Sequence, residues 1–335
     1  MNILIYGFGF SGSGALIDAF KDTEQIAIAP KISGLSGDGG VGALLTAADD
    51  RQRQREIAQV RLKELESKIA KERRARRWTW WHRLQERRRA LSRALGLRRG
   101  GVHASQAERE SIEEWLIDAR YLQQFLAEID AGKRLDVVAY WRQWLQERLF
   151  ANAPGAQWVL VDKRVPLMDP EMDGIWQPLY EPFKLVVVHR DPADHMAEIV
   201  RQKGWKKVAR QDRDGAREGH PGQRCEAFLA SLESRLQRVV QLQRSDSQRY
   251  LAIPFEGLVQ EPERWRGLVA QWSGFRPLAE APYNNFQPHE SARNIGIAEQ
   301  VPRVAAALTD NAAALQRVRD LRSELNRLSL SAQVE

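Results

Sequence analysis

The sequence has few of the residues that form disulfides, membrane spans or metal centres. It has one cysteine, Cys225, so an internal disulfide is excluded, and we expect that residue to be a buried small side chain in a helix. No run approaches about eighteen uncharged apolar residues, which predicts no membrane-spanning helix. No group of His, Cys, Asp and Glu has metal-ligand spacing, so no metal is expected. The first residues form an apolar strand rather than a basic leader, which favours a cytoplasmic protein.

Charge is concentrated in one segment. The net charge is +7, but residues 51–100 hold 18 Lys and Arg against five Glu, so the rest of the chain is net acidic. Apolar residues recur there at helical spacing: Ile57, Val60, Leu62, Leu65 and Ile69. Trp78, Trp80 and Trp81 lie among the arginines. The segment is therefore expected to be a solvated helical hairpin or an element that contacts an anionic membrane surface. A nucleic-acid partner is not favoured, because no module for one is recognised.

The N-terminus has the pattern of a phosphate-binding turn. An apolar strand leads into a glycine-rich loop at residues 7–14, and a helical pattern follows. Glycine lets main-chain N–H groups approach an anion, and the helix dipole adds partial positive charge. The triphosphatase loop needs a lysine where this chain has Ser13, so ATP hydrolysis by that route is not expected. The dinucleotide pattern fits Gly7, Gly9 and Gly12 and stays an alternative, although no acidic residue ends the next strand.

Three further apolar runs predict buried strands, at residues 157–161, 183–188 and 249–254. Continuous apolar strands that alternate with helical patterns are typical of a parallel sheet covered on both faces. The expected fold class is therefore α/β, a P-loop-like parallel sheet flanked by helices, with a large basic α-helical insertion.

The insertion divides the sequence of the predicted α/β domain. We place that domain in residues 1–40 and 151–335, and the insertion in residues 41–150. Besides the basic segment, apolar periodicity predicts helices at about 105–131 and 135–150.

Charged residues follow the predicted strands, at the edge where open α/β sheets bind ligands. Asp162 and Lys163 follow one strand, and Arg190, Asp191 and Pro192 follow the next. Proline is favoured in the first turn of a helix and Asp191 can cap it, which would leave Arg190 free for a bidentate contact with an anion. The glycine-rich loop, Lys163 and Arg190 together predict a site for a ligand with more than one phosphate or sulfate group.

Four segments resemble, in the same order, those of the sulfotransferases that use 3′-phosphoadenosine 5′-phosphosulfate. They are residues 7–16, 162–166, 186–194 and 253–262. Residues 162–166 resemble the Lys-x-Pro stretch of bacterial and carbohydrate-directed members, and residues 291–296 more weakly resemble the family's C-terminal loop. The resemblance implies transfer of a sulfuryl group from this donor to a hydroxyl or amine, without a metal.

The resemblance also implies roles for individual residues. The donor-binding residues would be Gly9, Phe10, Ser11, Gly12, Ser13, Gly14, Arg190 and Arg293. The catalytic candidates would be Lys163, Asp162 and Glu198. The base that takes the acceptor's proton stays open among Asp38, Asp162, Glu198 and His103.

Two residues depart from the family pattern. Phe10 stands where the family has a lysine or arginine that stabilises the leaving oxygen, so Lys163 or Lys31 would have to supply that charge. Glu198 stands where the family has a serine that binds the 3′-phosphate.

The expected acceptor is a carbohydrate or glycolipid, with a role in polysaccharide biosynthesis and a peripheral position at the inner face of a membrane. The alternatives are another nucleotide-dependent transferase or kinase, or a non-catalytic membrane- or glycan-binding relative. Phe10 and Glu198 favour the non-catalytic relative.

Overall fold

The computed structural model divides into two compact units. Unit 1 comprises Met1–Ile28, Ala156–Met168 and Pro182–Glu335, and unit 2 comprises Ala29–Gly155 and Asp169–Glu181. The residues that the structure describes are 1–21, 23, 26–29, 40–77, 112–150, 156–162, 177–205, 208, 220–275 and 285–331.

Unit 1 is built on a five-stranded sheet. Its strands are β1 (Asn2–Gly7), β2 (Ile26–Ala29), β3 (Trp158–Asp162), β4 (Phe183–His189) and β5 (Tyr250–Pro254), and their spatial order is β2-β3-β1-β4-β5. β1 pairs in parallel with β3 and with β4, and β4 pairs in parallel with β5. The predicted parallel sheet is confirmed, and β3, β4 and β5 agree with their sequence-based bounds to within one residue. Because β1 is central, the loop that follows it lies at the middle of the carboxyl edge.

Helices make up most of the remaining described chain. In chain order they are α1 (Ser13–Phe20), α2 (Val41–Thr46), α3 (Arg51–Arg77), α4 (Ile112–Asp130), α5 (Val137–Phe150), α6 (Pro192–Lys203), α7 (Pro221–Ser245), α8 (Phe255–Gln260), α9 (Pro262–Ser273), α10 (Pro288–Ala292), α11 (Pro302–Thr309) and α12 (Ala312–Ser331), with a 3-10 helix at Ile297–Gln300. Across these described elements, no helix combines the length and apolar character that a membrane crossing requires.

Apolar side chains from the sheet and from the flanking helices form the core of unit 1. Ile3 and Ile5 of β1 pack in one cluster with Leu16 of α1 and Trp265 of α9. Cys225 is buried in α7, as predicted. This packing fixes the ends of β1 and α1, and therefore the loop between them.

Unit 2 contains α2 to α5. Ile57, Leu65 and Ile69 of α3 are buried, which confirms the predicted apolar stripe at those positions. Val60 is 56% exposed, so its assignment to that stripe is wrong. The helices predicted at about 105–131 and 135–150 are confirmed as α4 and α5, with α4 described from Ile112 onward. The tryptophan-bearing part of the basic segment, residues 78–100, lies outside the described residues.

Candidate anion-binding site

The loop between β1 and α1 has an unusual backbone conformation. Gly9, Phe10 and Gly12 have φ angles of 65°, 57° and 95°, in the left-handed region. That region is strained for a side chain as large as phenylalanine, at a cost of about 1–2 kcal/mol. Within the loop, the Phe8 N–H donates to Ser11 Oγ at 3.0 Å. The surrounding structure must therefore hold Phe10 in place.

The hydroxyls of Ser11 and Ser13 converge on Gly7. A Cβ atom at Gly7 would lie 2.6 Å from each hydroxyl oxygen, which is closer than real Cβ atoms come to other atoms. Ser11 and Ser13 are both buried. The loop therefore needs glycine at position 7 in order to close this tightly over the end of β1.

The main-chain donors of the loop are open. Across the described residues, no protein acceptor binds the N–H groups of residues 10–14, and α1 has no side-chain cap at its first residue. Successive N–H groups in such a turn form a concave anion site, and the amino end of a helix adds partial positive charge. This is the predicted phosphate-binding geometry, although the residue assignments themselves stay predictions.

Two side chains, one just after β4 and one in α6, contact carbonyl groups of the loop. The His195 Nε2–H donates to the carbonyl of Gly9, and Arg190 Nη1 donates to the carbonyl of Phe10 at 3.2 Å. Arg190 directly follows β4 and His195 lies in the first turns of α6. Asp191 caps that helix through the N–H groups of Ala193 and Asp194, as predicted.

Arg190 is held more tightly than the sequence indicated. Its Nη2 donates to the carbonyl of Asn294, and its Cζ lies 5.0 Å from the centre of the Phe255 ring. Its Nε is buried and has no hydrogen-bond partner. The sequence predicted a free guanidinium. In the structure it is bound to two neutral carbonyl groups instead, those of Phe10 and Asn294. Its predicted contact with a phosphate stays a prediction.

The charge of Arg190 is not neutralised by direct contact. Within the described part of the chain, no carboxylate forms an ion pair with it. Burial lowers the pKa of Arg190, and the more distant carboxylates of Asp194, Glu198 and Glu256 oppose that shift. A buried cation whose hydrogen-bond partners are neutral carbonyl oxygens attracts an anion.

The C-terminal segment after Phe286 docks on α6. The carboxylate of Asp194 accepts hydrogen bonds from the N–H groups of Gly296 and Ala298, at 2.7 and 3.0 Å. The side-chain oxygen of Asn294 accepts from Arg201 Nη2 at 3.0 Å. Residues 291–296 are therefore held beside Arg190.

The catalytic candidates lie in different environments. Glu198 is buried on α6, and its oxygens accept from Arg201, at 2.8 Å, and from Gln202. Asp162 ends β3 and stands opposite Ile5 in the sheet register. Lys163 and the other candidates Lys31, Asp38 and His103 lie outside the described residues.

Arg293 lies at the surface. Its side chain is 72% exposed and pairs with Glu290 at 2.9 Å. The structure brings its neighbour Asn294 to Arg190 instead.

Next to the site, Glu256 forms hydrogen bonds with residues of two other elements. It accepts a hydrogen bond from the Asp191 N–H and one from Arg322 Nη2, both at 2.6 Å. His189 Nδ1 accepts from Arg322 Nε at 3.1 Å, and burial, with Arg322 as the second cause, lowers the pKa of His189 well below its usual value. These residues join the ends of β4 and β5 to α12.

Sequence reasoning missed several residues of this arrangement. They are Asp194, His195, Arg201 and Asn294. Asp194 and His195 follow the Arg-Asp-Pro turn, but their partners lie 102 or more residues away in the sequence. Among the described residues, no three His, Cys, Asp or Glu side chains are placed to hold a metal.

Comparison with known proteins gives structural likenesses only. No protein-family model and no curated protein sequence matches the chain. The sulfotransferase domain from the Synechococcus PCC 7002 olefin synthase has 13% identity and a TM-score of 0.43, over 99% of this chain and 93% of that one. The sulfotransferase domain from the curacin biosynthetic pathway has 14% identity and a TM-score of 0.45, over 92% of this chain and 96% of that one. The sulfotransferase STF9 from Mycobacterium avium has 11% identity and a TM-score of 0.41, over 94% of this chain and 76% of that one. At these values, a function for this chain has to be argued from its own residues.

Proposed function

We propose that this chain is a sulfotransferase that uses 3′-phosphoadenosine 5′-phosphosulfate. The observation that carries the proposal is the set of open N–H groups at residues 10–14, in a loop that lacks the lysine of triphosphatases. Arg190 places a buried positive charge beside that loop. A donor with separate phosphosulfate and phosphate groups suits a site with main-chain donors and a neighbouring guanidinium.

The described residues fit such a donor. The N–H groups of residues 10–14 would bind the phosphosulfate oxygens. Arg190 and Arg201 would hold the 3′-phosphate, in place of their present contacts with Asn294. Arg201 also pairs with Glu198, which offsets the negative charge that stands where the family has a serine.

When bound, the donor supplies an activated sulfuryl group. Lys163 or Lys31 would place a cation near the leaving oxygen, a role that Phe10 cannot fill. Asp162 would take the acceptor's proton as the new S–O bond forms and the bond to the leaving phosphate oxygen breaks, because the pairing of Glu198 with Arg201 places Glu198 at the 3′-phosphate instead. Asp38 and His103 stay open as alternatives for that base.

Calorimetry with adenosine 3′,5′-bisphosphate and with ATP·Mg tests the proposal. Arg190→Ala is expected to weaken bisphosphate binding by about 1.5–3 kcal/mol, because one charged hydrogen-bonding partner is lost. The exposed Arg303→Ala is the matched control, and it should bind as the wild type does. Unchanged affinity in Arg190→Ala would remove Arg190 from the site.

The same experiment separates the alternative functions. A preference for ATP·Mg would favour a kinase or another nucleotide-dependent transferase. Absence of binding to both nucleotides, in a folded protein, would favour a non-catalytic membrane- or glycan-binding relative.

For the acceptor we propose a carbohydrate or glycolipid, with the basic segment at residues 51–100 on an anionic membrane surface. The resemblance of residues 162–166 to carbohydrate-directed members supports the acceptor class. The exposed basic side chains along α3 support the membrane contact.

Substituting exposed lysines of α3 tests the membrane contact without deleting the helix, whose apolar stripe is buried. The variant replaces three of them with glutamine: Lys63, Lys68 and Lys71. Each lysine near an anionic surface contributes about 1 kcal/mol, so the affinity for anionic vesicles in a sedimentation assay should weaken by roughly a hundredfold. The control replaces exposed arginines elsewhere with glutamine: Arg264, Arg303 and Arg317. Equal vesicle binding by both variants would contradict the membrane role of this segment.

A further inference from the structure

Two consecutive carbonyl groups of the anion-binding loop are held by side chains that follow β4. The carbonyl of Gly9 accepts from His195 Nε2, and the carbonyl of Phe10 accepts from Arg190 Nη1. Both side chains are almost completely buried, at 1% and 4% exposure. These contacts join the end of β4 and the start of α6 to a loop about 180 residues earlier in the chain.

The two contacts determine where the following N–H groups point. In a trans peptide, the carbonyl oxygen and the N–H of the next residue lie on opposite sides of the bond. Because the Gly9 carbonyl faces His195, the Phe10 N–H faces away from His195. Because the Phe10 carbonyl faces Arg190, the Ser11 N–H faces away from Arg190. Both N–H groups belong to the open set at residues 10–14.

We propose that His195 is a positioning residue for the anion site, which acts through the Gly9 carbonyl to aim the Phe10 N–H at the bound anion. The proposal rests on the proposed function for the identity of the natural ligand. Arg190 does the same for the next peptide. Together the two side chains hold the left-handed conformations of Gly9 and Phe10, which the loop needs and which phenylalanine disfavours.

A histidine suits this position because it donates a hydrogen bond without adding a second buried charge. Burial lowers the pKa of His195 to about 4, against the opposing effects of the Gly9 and Phe8 carbonyls, so the ring is neutral near pH 7. A neutral ring that donates from Nε2 carries no proton on Nδ1. Nδ1 is buried without a hydrogen-bond partner, and the ring packs against Phe228 at 5.2 Å between centroids. A lysine or arginine here would place another cation beside Arg190.

Two substitutions separate the hydrogen bond from the volume of the ring. His195→Leu fills the space and removes the donor, whereas His195→Gln keeps an N–H₂ group near the position of Nε2. The amide signals of Phe10 and Ser11 are followed by NMR while inorganic phosphate, or adenosine 3′,5′-bisphosphate, is added. We expect His195→Leu to weaken binding of both anions by about tenfold and His195→Gln to restore most of it.

The outcomes distinguish this inference from the proposed function. Phosphate that shifts the two amides in a His195-dependent way, without any binding of the bisphosphate, would leave the inference standing and reject the donor. A folded His195→Leu variant with wild-type affinity for both anions would overturn the inference and leave the donor intact. Wild-type amides that respond to neither anion would overturn the inference as well.

A measurement on the wild type covers the case in which His195→Leu does not fold. Scalar coupling across the hydrogen bond, from His195 Nε2 to a ¹³C-labelled Gly9 carbonyl, should be detectable without any ligand. A ring that is protonated on Nδ1 only would contradict the inference.

Discussion

Gly12→Ala should destabilise unit 1 and abolish measurable binding of adenosine 3′,5′-bisphosphate. Gly12 has a φ of +95°, and a Cβ atom there would lie 2.2 Å from Phe255 Cδ2. Left-handed backbone at alanine costs about 1–2 kcal/mol, and overpacking costs about 1–3 kcal/mol more. We therefore expect the free energy of unfolding to fall by about 2–5 kcal/mol.

The effect on binding follows from what Phe255 touches. Its ring is buried in the core of unit 1 and lies under the guanidinium of Arg190. A ring displaced by the new methyl group would move Arg190, and with it the carbonyl of Phe10. The loop and the guanidinium would then be disturbed together.

Gly14→Ala is the matched control for stability. It lies two residues further along, in α1, and a Cβ atom there meets nothing within 4 Å. Alanine should stabilise the helix there by up to about 1 kcal/mol relative to glycine. Urea unfolding of both variants gives the comparison. If Gly12→Ala proves as stable as Gly14→Ala, the packing of the loop on Phe255 is wrong.

The strand-loop-helix unit could be predicted because its signals are local. The apolar run before Gly7, the glycine spacing and the Asp191-Pro192 helix start all act within a few residues. The strands after it were predictable for the same reason, since each is a short apolar run between turns.

The partners of the loop could not be predicted, because they depend on tertiary contacts. Nothing near Phe10 in the sequence indicates a positive φ, since phenylalanine disfavours it. The side chains that hold the carbonyls of Gly9 and Phe10 belong to the distant residues His195 and Arg190. Arg190 was expected to be free because its neighbours in sequence leave it so. The carbonyl of Asn294, which accepts a hydrogen bond from Arg190 Nη2, belongs to a segment 104 residues later.

The same limit applies to the core of unit 2. Apolar periodicity predicted the helices α4 and α5 and most of the buried stripe of α3, but it gave no sign that Arg148 is buried with two carboxylates. Its side chain is 0% exposed and lies 2.9 Å from Glu114 and 3.0 Å from Asp118, on another helix. A charge pattern along one helix does not reveal a partner on the next.

Arg148→Met should destabilise unit 2 by about 3–5 kcal/mol, because it removes the buried guanidinium that contacts the carboxylates of both Glu114 and Asp118. Trp144 Nε1 donates to the same oxygen of Asp118 that Arg148 contacts, at 2.9 Å, so the disturbance would reach the aromatic core. Urea unfolding followed by circular dichroism measures the loss.

Removing the carboxylate charges as well should reverse most of that loss. In the triple variant Arg148→Met, Glu114→Gln, Asp118→Asn, the guanidinium and the two carboxylate charges that it contacts are removed together, and position 118 still offers Trp144 an oxygen. Every described residue of the anion-binding loop belongs to unit 1, so bisphosphate affinity should be the same in the triple variant and in the wild type. A triple variant as unstable as Arg148→Met would show that shape, rather than buried charge, makes Arg148 necessary.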